Sequence, residues 1–176
     1  MSGIIGSVGY KSNSGQVGVV PKGTVLQTVR NVTDNPSFAT SGTQYSNRIS
    51  PTNVSLTAMG KNSMLAAWAT SNTGSSHSAF SIILSFEHNV TVPGSAAGSY
   101  SEWGEGGDGS YGIMYSYYNT PLGTDVRRGR IVHGTVVSSH NVGDAINVKY
   151  IGWRWHSTEV KLENWSQITV QEIANL

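Results

Sequence analysis

Residues 78–87 read SAFSIILSFE. Phe80, Ile82, Leu84 and Phe86 occupy every second position, with Ala79, Ser81, Ile83 and Ser85 between them. Successive side chains of an extended chain point to opposite faces, so this spacing predicts a strand with one strongly apolar side. The same signal recurs in both directions from it. Residues 63–70 (SMLAAWAT) are almost continuously apolar, as expected of a central strand or one buried on both faces. Their length, and the turn residues Lys61-Asn62 and Asn72-Thr73-Gly74 on either side, favour a strand over a helix. Further strands are predicted at Val25–Val32, ended by Asp34-Asn35-Pro36, and at Asn53–Ala58, ended by Gly60-Lys61-Asn62. Tyr111–Tyr118, Gly129–Ser138, Ala145–Trp155 and Ser166–Ile173 follow, rich in β-branched and aromatic residues and separated by turn residues.

The pattern amounts to about eight to ten strands without a helix, the signature of an antiparallel sandwich or jelly roll. Composition agrees. In 176 residues, 38% are hydrophobic, only 12% are charged and 21 are glycine. The charged share is about half that of an ordinary soluble domain, and Ser, Thr and Asn make the surface polar instead. The length suits a single core. The expected organisation is an all-β domain over 23–176, a jelly-roll sandwich, preceded by a Gly/Ser-rich arm over 1–22. Ser95–Gly112 (SAAGSYSEWGEGGDGSYG) reads as the one long loop.

Several function classes are disfavoured. A net charge of +1, with Arg127, Arg128 and Arg130 as the densest basic cluster, gives no stripe for nucleic acid. The longest apolar run, Met64–Ala69, is too short to span a bilayer, and the N-terminus lacks the features of an export signal. There is no cysteine, hence no disulfide or thiolate metal site. The sequons at Asn31, Asn53, Asn89 and Asn164 are accounted for by a chain rich in Asn, Ser and Thr. Asp108 lies in a glycine-rich loop but without calcium-loop spacing, and the histidines at 77, 88, 133, 140 and 156 have no zinc-ligand spacing. No G-x-S-x-G elbow or carboxylate motif marks a catalytic site. The expectation is a protein without cofactor, metal or catalytic residues.

The aromatic residues divide in two. Trp153 and Trp155 fall on one face of a strand and are assigned to packing. Tyr100, Trp103, Tyr111, Tyr115, Tyr117 and Tyr118 gather in and after the long loop, where such a set fits a subunit interface or a sugar-stacking surface. The interface reading is preferred. At the other end of the chain, MSGIIGSVGYKSNSGQVG carries Ile4, Ile5, Val8 and Tyr10 among its glycines and serines. An arm of this kind can lie along another protein's surface, glycine permitting close approach and the apolar residues filling shallow pockets.

The opening MSGIIGSVGYKS, then GTVLQTV, VSLTAMGKNSMLAAW and the closing ITVQEIANL together resemble small virion proteins of tailed bacteriophages. The resemblance implies a jelly roll similar to the tumour-necrosis-factor and complement-head fold, packed as a homotrimer, without catalysis. No collagen-like stalk precedes the domain, which departs from the complement pattern. On this reading the protein resides in the virion, assembled in the host cytoplasm, and its partners are itself and a major capsid or tail protein. Capsid decoration (a cement role) is preferred to a short tail fibre or tail-tip protein that reads a host glycan, because no repetitive or coiled-coil shaft is present. A free sugar-binding lectin is the reading from a different class.

Overall fold

A computed structural model describes residues 20–34, 38–39, 49–75, 80–103, 114–118, 126–154 and 161–175. Ten strands occur among them: β1 (Val25–Asp34), β2 (Phe38–Ala39), β3 (Ile49–Thr57), β4 (Met64–Ser75), β5 (Phe80–Thr91), β6 (Ser101–Trp103), β7 (Met114–Tyr118), β8 (Val126–Val137), β9 (Ala145–Arg154) and β10 (Lys161–Ile173). No helix is present among the described residues. The strands form two antiparallel sheets, one ordered β1-β10-β4-β8 with β2 against β10, the other β3-β9-β5-β6 with β7 against β5. The chain therefore changes sheet at β3, β4, β5, β8, β9 and β10, and strands distant in sequence lie side by side. This is the crossed, two-layer order of a jelly-roll sandwich.

The core lies between the layers, and the two sheets fill it unequally. The first contributes Leu65, Ala67, Ala69, Val132, Ile168 and Val170. The second contributes Val54, Leu56, Leu84, Phe86, Trp103, Ile146, Val148 and Tyr150. Small residues on β4 face a layer that supplies the rings, which is how facing surfaces reach native density. Phe86 sits at the centre of these rings, its centroid 5.3 Å from Trp103 and 5.8 Å from Tyr150. The Tyr150 hydroxyl meets Ser71 Oγ at 2.8 Å. Burial pushes its pKa far above the ordinary tyrosine range, so it is a neutral hydrogen-bonding group.

The alternation of residues 78–87 places Leu84 and Phe86 in this core. Ile83 is also fully buried, joining Ile151 and Trp153 in a second cluster on the opposite face of the sheet. The packing role of Trp153 therefore holds, while Trp155 lies outside the described residues. β4 is central, between β10 and β8, as its apolar run requires. One expectation fails. The stretch read as a single loop contains β6, whose residues pair with β5 as Phe86↔Trp103, Glu87↔Glu102 and His88↔Ser101. The preceding turn is held by Gly98 N–H to Val90 O at 3.1 Å and Asn89 Nδ2 to Gly98 O at 3.2 Å. A Cβ on Gly98 would lie 2.6 Å from that Val90 oxygen, so the approach requires glycine.

Candidate assembly surface

The two outer faces of the sandwich differ in chemistry. On the second sheet, Asn53, Ser55 and Thr57 of β3 alternate outward and are exposed, and Asn147 and Lys149 of β9 share their face. Lys149 Nζ lies 3.7 Å from Glu87 and 3.5 Å from the centroid of the Tyr100 ring. The β3 side of this face is solvated and hydrogen-bonding, whereas further along β9 and β5 the same face carries the buried Ile83, Ile151 and Trp153.

The outer face of the first sheet carries little charge. Its register aligns outward residues in rows across four strands: Val32–Gln167–Thr70–Ile131, Arg30–Thr169–Trp68–His133, Thr28–Gln171–Ala66–Thr135, and Ile173–Met64–Val137. Among these residues Arg30 alone is formally charged, and its Nη2 donates to Gln167 Oε1 at 2.7 Å. Ile131 is 73% exposed, Val137 56% and Trp68 37%, with Trp165 exposed further along β10. The Trp68 ring stands edge-on to His133 at 6.3 Å. Eight of the fifteen residues in these rows are Thr, Gln, Arg or His, so the face is mixed and nearly uncharged, and several large apolar side chains exposed together on it mark a candidate interaction surface. Single apolar residues on a surface would carry no such meaning.

Of the aromatic set picked out from sequence, Trp103 and Tyr100 have described side chains, and these two do not share a surface. Trp103 is 2% exposed and belongs to the core, so its assignment to a partner-facing or glycan surface is corrected. Pairing opposite Phe86 fixes it on the core side of β5. Its Nε1–H donates to His88 Nδ1 at 2.9 Å. Tyr100 is exposed beside Lys149. Tyr115, Tyr117 and Tyr118 lie on β7, opposite Ile83, Ser81 and Phe80 of β5. Tyr111 and the arm residues Ile4, Ile5, Val8 and Tyr10 lie outside the described residues. The residues that sequence reading missed are Trp68, Ile131, Val137 and Trp165. For Trp68 the apolar run of 63–70 hid the outward position.

A second assembly of side chains has the residue types of a hydrolase. Ser63 Oγ lies 2.8 Å from His140 Nε2 and 2.8 Å from Glu172 Oε1, and all three residues are buried. The connectivity is not that of a catalytic triad. There the serine gives its proton toward histidine while the carboxylate holds the opposite ring nitrogen. Here the Ser63 hydroxyl donates to Glu172, which also accepts from Met59 N, Gly60 N and Gln27 Nε2. The carboxylate approaches the serine-facing nitrogen, with His140 Nε2 at 4.0 Å from Glu172 Oε1. The arrangement ties the β3–β4 turn to β10 and to the segment after β8. Asn62 N–H to His140 O (3.0 Å) and Gly143 N–H to Ala58 O (2.8 Å) complete the tie.

Both buried histidines favour the neutral form. Burial lowers the pKa of His140 despite the opposing pull of Glu172 and Asp144, and burial likewise lowers that of His88. For His88 the hydrogen bond adds a chemical reason, since Nδ1 accepts from Trp103 and a proton there would displace the indole. Histidines of the unfolded chain titrate near 6.5. Their stabilisation is therefore complete above about pH 6.5 and is lost as the pH falls toward the depressed folded values. Thermal melts at about pH 7.5 and about pH 5 should show the lower midpoint at the acidic value. An unchanged or higher midpoint at acidic pH would contradict the neutral assignment.

Fold and surface together define a jelly-roll sandwich whose β1-β10-β4-β8 outer face exposes large apolar side chains among threonines and glutamines, with Arg30 as the formal charge in its aligned rows. No protein-family model and no curated protein matches the chain. Among solved structures it aligns with a chain from the infectious bursal disease virus Gx strain at 9% identity, over 84% of this chain and 40% of that one, with a TM-score of 0.30. The VP2 subviral particle of the same virus aligns at 10% identity, over 85% and 43%, with a TM-score of 0.30. The chain spans less than half the length of those viral chains. Likenesses at this level carry no argument about its role.

Proposed function

We propose that the chain is a non-enzymatic structural protein of a bacteriophage virion, a capsid decoration protein that trimerises through its jelly roll and attaches by its N-terminal arm. The observation that carries the reading is the outer face of β1-β10-β4-β8, which exposes Trp68, Ile131 and Val137 among threonines and glutamines, with Arg30 as the formal charge among its aligned rows. A face of this kind is stabilised by being covered, and a second and third copy of the chain are the occupants that the resemblance implies. The low charge of the whole sequence suits a protein much of whose surface is buried on assembly. The jelly roll supports the same resemblance, and the serine–histidine–glutamate connectivity supports a structural rather than a hydrolytic role. Ile4, Ile5, Val8 and Tyr10 are the residues assigned to contact with the shell.

Immunogold labelling of phage particles with antibody against the chain tests the location. Gold in many copies over heads is the expected result. Gold confined to tails would replace decoration by the fibre or tail-tip role and direct attention to Tyr100. Unlabelled particles would overturn both. Removal of Met1–Gly18 should abolish attachment while leaving the melting temperature of the domain nearly unchanged; full attachment by the truncated protein would exclude anchoring by the arm.

A further inference from the structure

β8 is an edge strand of its sheet, and it has few of the features that usually protect an edge. Its register with β4 runs from Met64↔Val137 to Ser75↔Val126 without a bulge. Its three arginines, Arg127, Arg128 and Arg130, are confined to the first half. The second half, Ile131–Val137 (IVHGTVV), has no proline, lysine or carboxylate. Protected edges carry charges, prolines or bulges, and an edge without them is a template for another strand.

The hydrogen-bond phase shows which residues offer that template. Ser138 N–H donates to Ser63 O, and Ala174 exchanges bonds with the β1 side of the sheet through Gly23 and Thr24. Alternation in antiparallel ladders then directs the backbone groups of residues 132, 134 and 136 toward β4. Those of 131, 133, 135 and 137 point to the open side, where no described residue pairs with them. The same four residues carry their side chains on the exposed outer face.

The geometry points to pairing of two copies of this chain through their β8 edges, antiparallel about a two-fold axis at Gly134. In that register Ile131 of one copy faces Val137 of the other, and His133 faces Thr135. Each outward backbone group then meets an outward backbone group. The two most exposed apolar side chains of the strand cover one another, and the arginines fall beyond the paired segment. The sequence is self-complementary about glycine, as an isologous interface requires. Pairing would join two sandwiches by a continuous sheet, and it leaves the three-fold contact proposed above to the rest of the face, around Trp68 and Val32.

Sedimentation equilibrium of the full chain, whose subunit mass is 18.8 kDa, tests the register with two double variants. Ile131→Lys with Val137→Lys sets lysine against lysine at both ends of the pair. Ile131→Lys with Val137→Glu sets lysine against glutamate. The wild type should contain an even number of subunits, the first variant should have half that mass, and the second should keep it in a salt-sensitive form. Retention of the wild-type mass by the lysine–lysine variant, halving in both, or an odd wild-type number would overturn the proposal. Both positions are exposed, so the fold should survive. Should it not, Thr135→Pro removes an outward N–H without touching the β4 ladder and should halve the mass alone. A six-to-three change supports the trimer as well, whereas two-to-one sustains the edge pair and removes the trimer.

Discussion

Replacing Glu172 by alanine should cost about 3–5 kcal/mol of folding stability, a large part of what a domain of this size possesses. The carboxylate is fully buried and collects Met59 N–H, Gly60 N–H, Ser63 Oγ–H and the Gln27 amide. Alanine leaves these donors facing a cavity, and an unsatisfied buried donor costs far more than an average hydrogen bond contributes. Glu172→Gln keeps one acceptor oxygen but turns an amide donor toward other donors, for an expected loss of about 2 kcal/mol. Urea unfolding at neutral pH measures both. A loss below about 1 kcal/mol for the alanine variant would mean that the turn does not depend on this carboxylate.

The second large effect belongs to Trp103. Removing its ring by Trp103→Ala should cost about 3–5 kcal/mol through the cavity left against Phe86. A glycan-stacking or rim tryptophan would behave differently, losing binding with almost no change in stability. Trp103→Phe refines the test. It restores most of the apolar volume but leaves His88 Nδ1 without its indole donor, so the ring can take a proton more readily than in the wild type. The expected signature is a stability loss of about 1–2 kcal/mol at neutral pH together with a shallower decline on acidification. Urea titrations at both pH values would show it. An acid response identical to that of the wild type would separate His88 from the pH dependence.

These residues also show what sequence could and could not reveal. Alternation in 78–87 and 53–58 found strands because side chains on a pleat have period two, and Leu84, Phe86, Val54 and Leu56 are indeed core residues. Periodicity reports a face, however, and not a neighbour. That Ser63 meets both His140 and Glu172 depends on strand order, which no local pattern encodes, across separations of 77 and 109 residues. Trp103 was misplaced for a related reason. β6 is three residues long, too short to display a period within a glycine-rich stretch, and only its pairing with Phe86 turns the indole inward. Trp68 failed in the reverse direction, because the alanines on both sides of it make an outward position look buried.

The order of the sheets has a consequence for how the protein is made. β10 lies between β1 and β4, so Val25 finds its partner Ile173 only after all the strands between them and nearly all of β10 have been synthesised. The second sheet has the same delay, since β9 separates β3 from β5. Contacts this distant in sequence slow folding and prevent the first strands from completing a sheet while the ribosome is still at work. The outer face that exposes Trp68, Ile131 and Val137 is assembled from β1, β10, β4 and β8 together, so an unfinished chain does not possess it. On the self-association proposed above, subunit recognition would be reserved for chains that have been translated through β10 and folded, and truncated products would be excluded without a separate proofreading device.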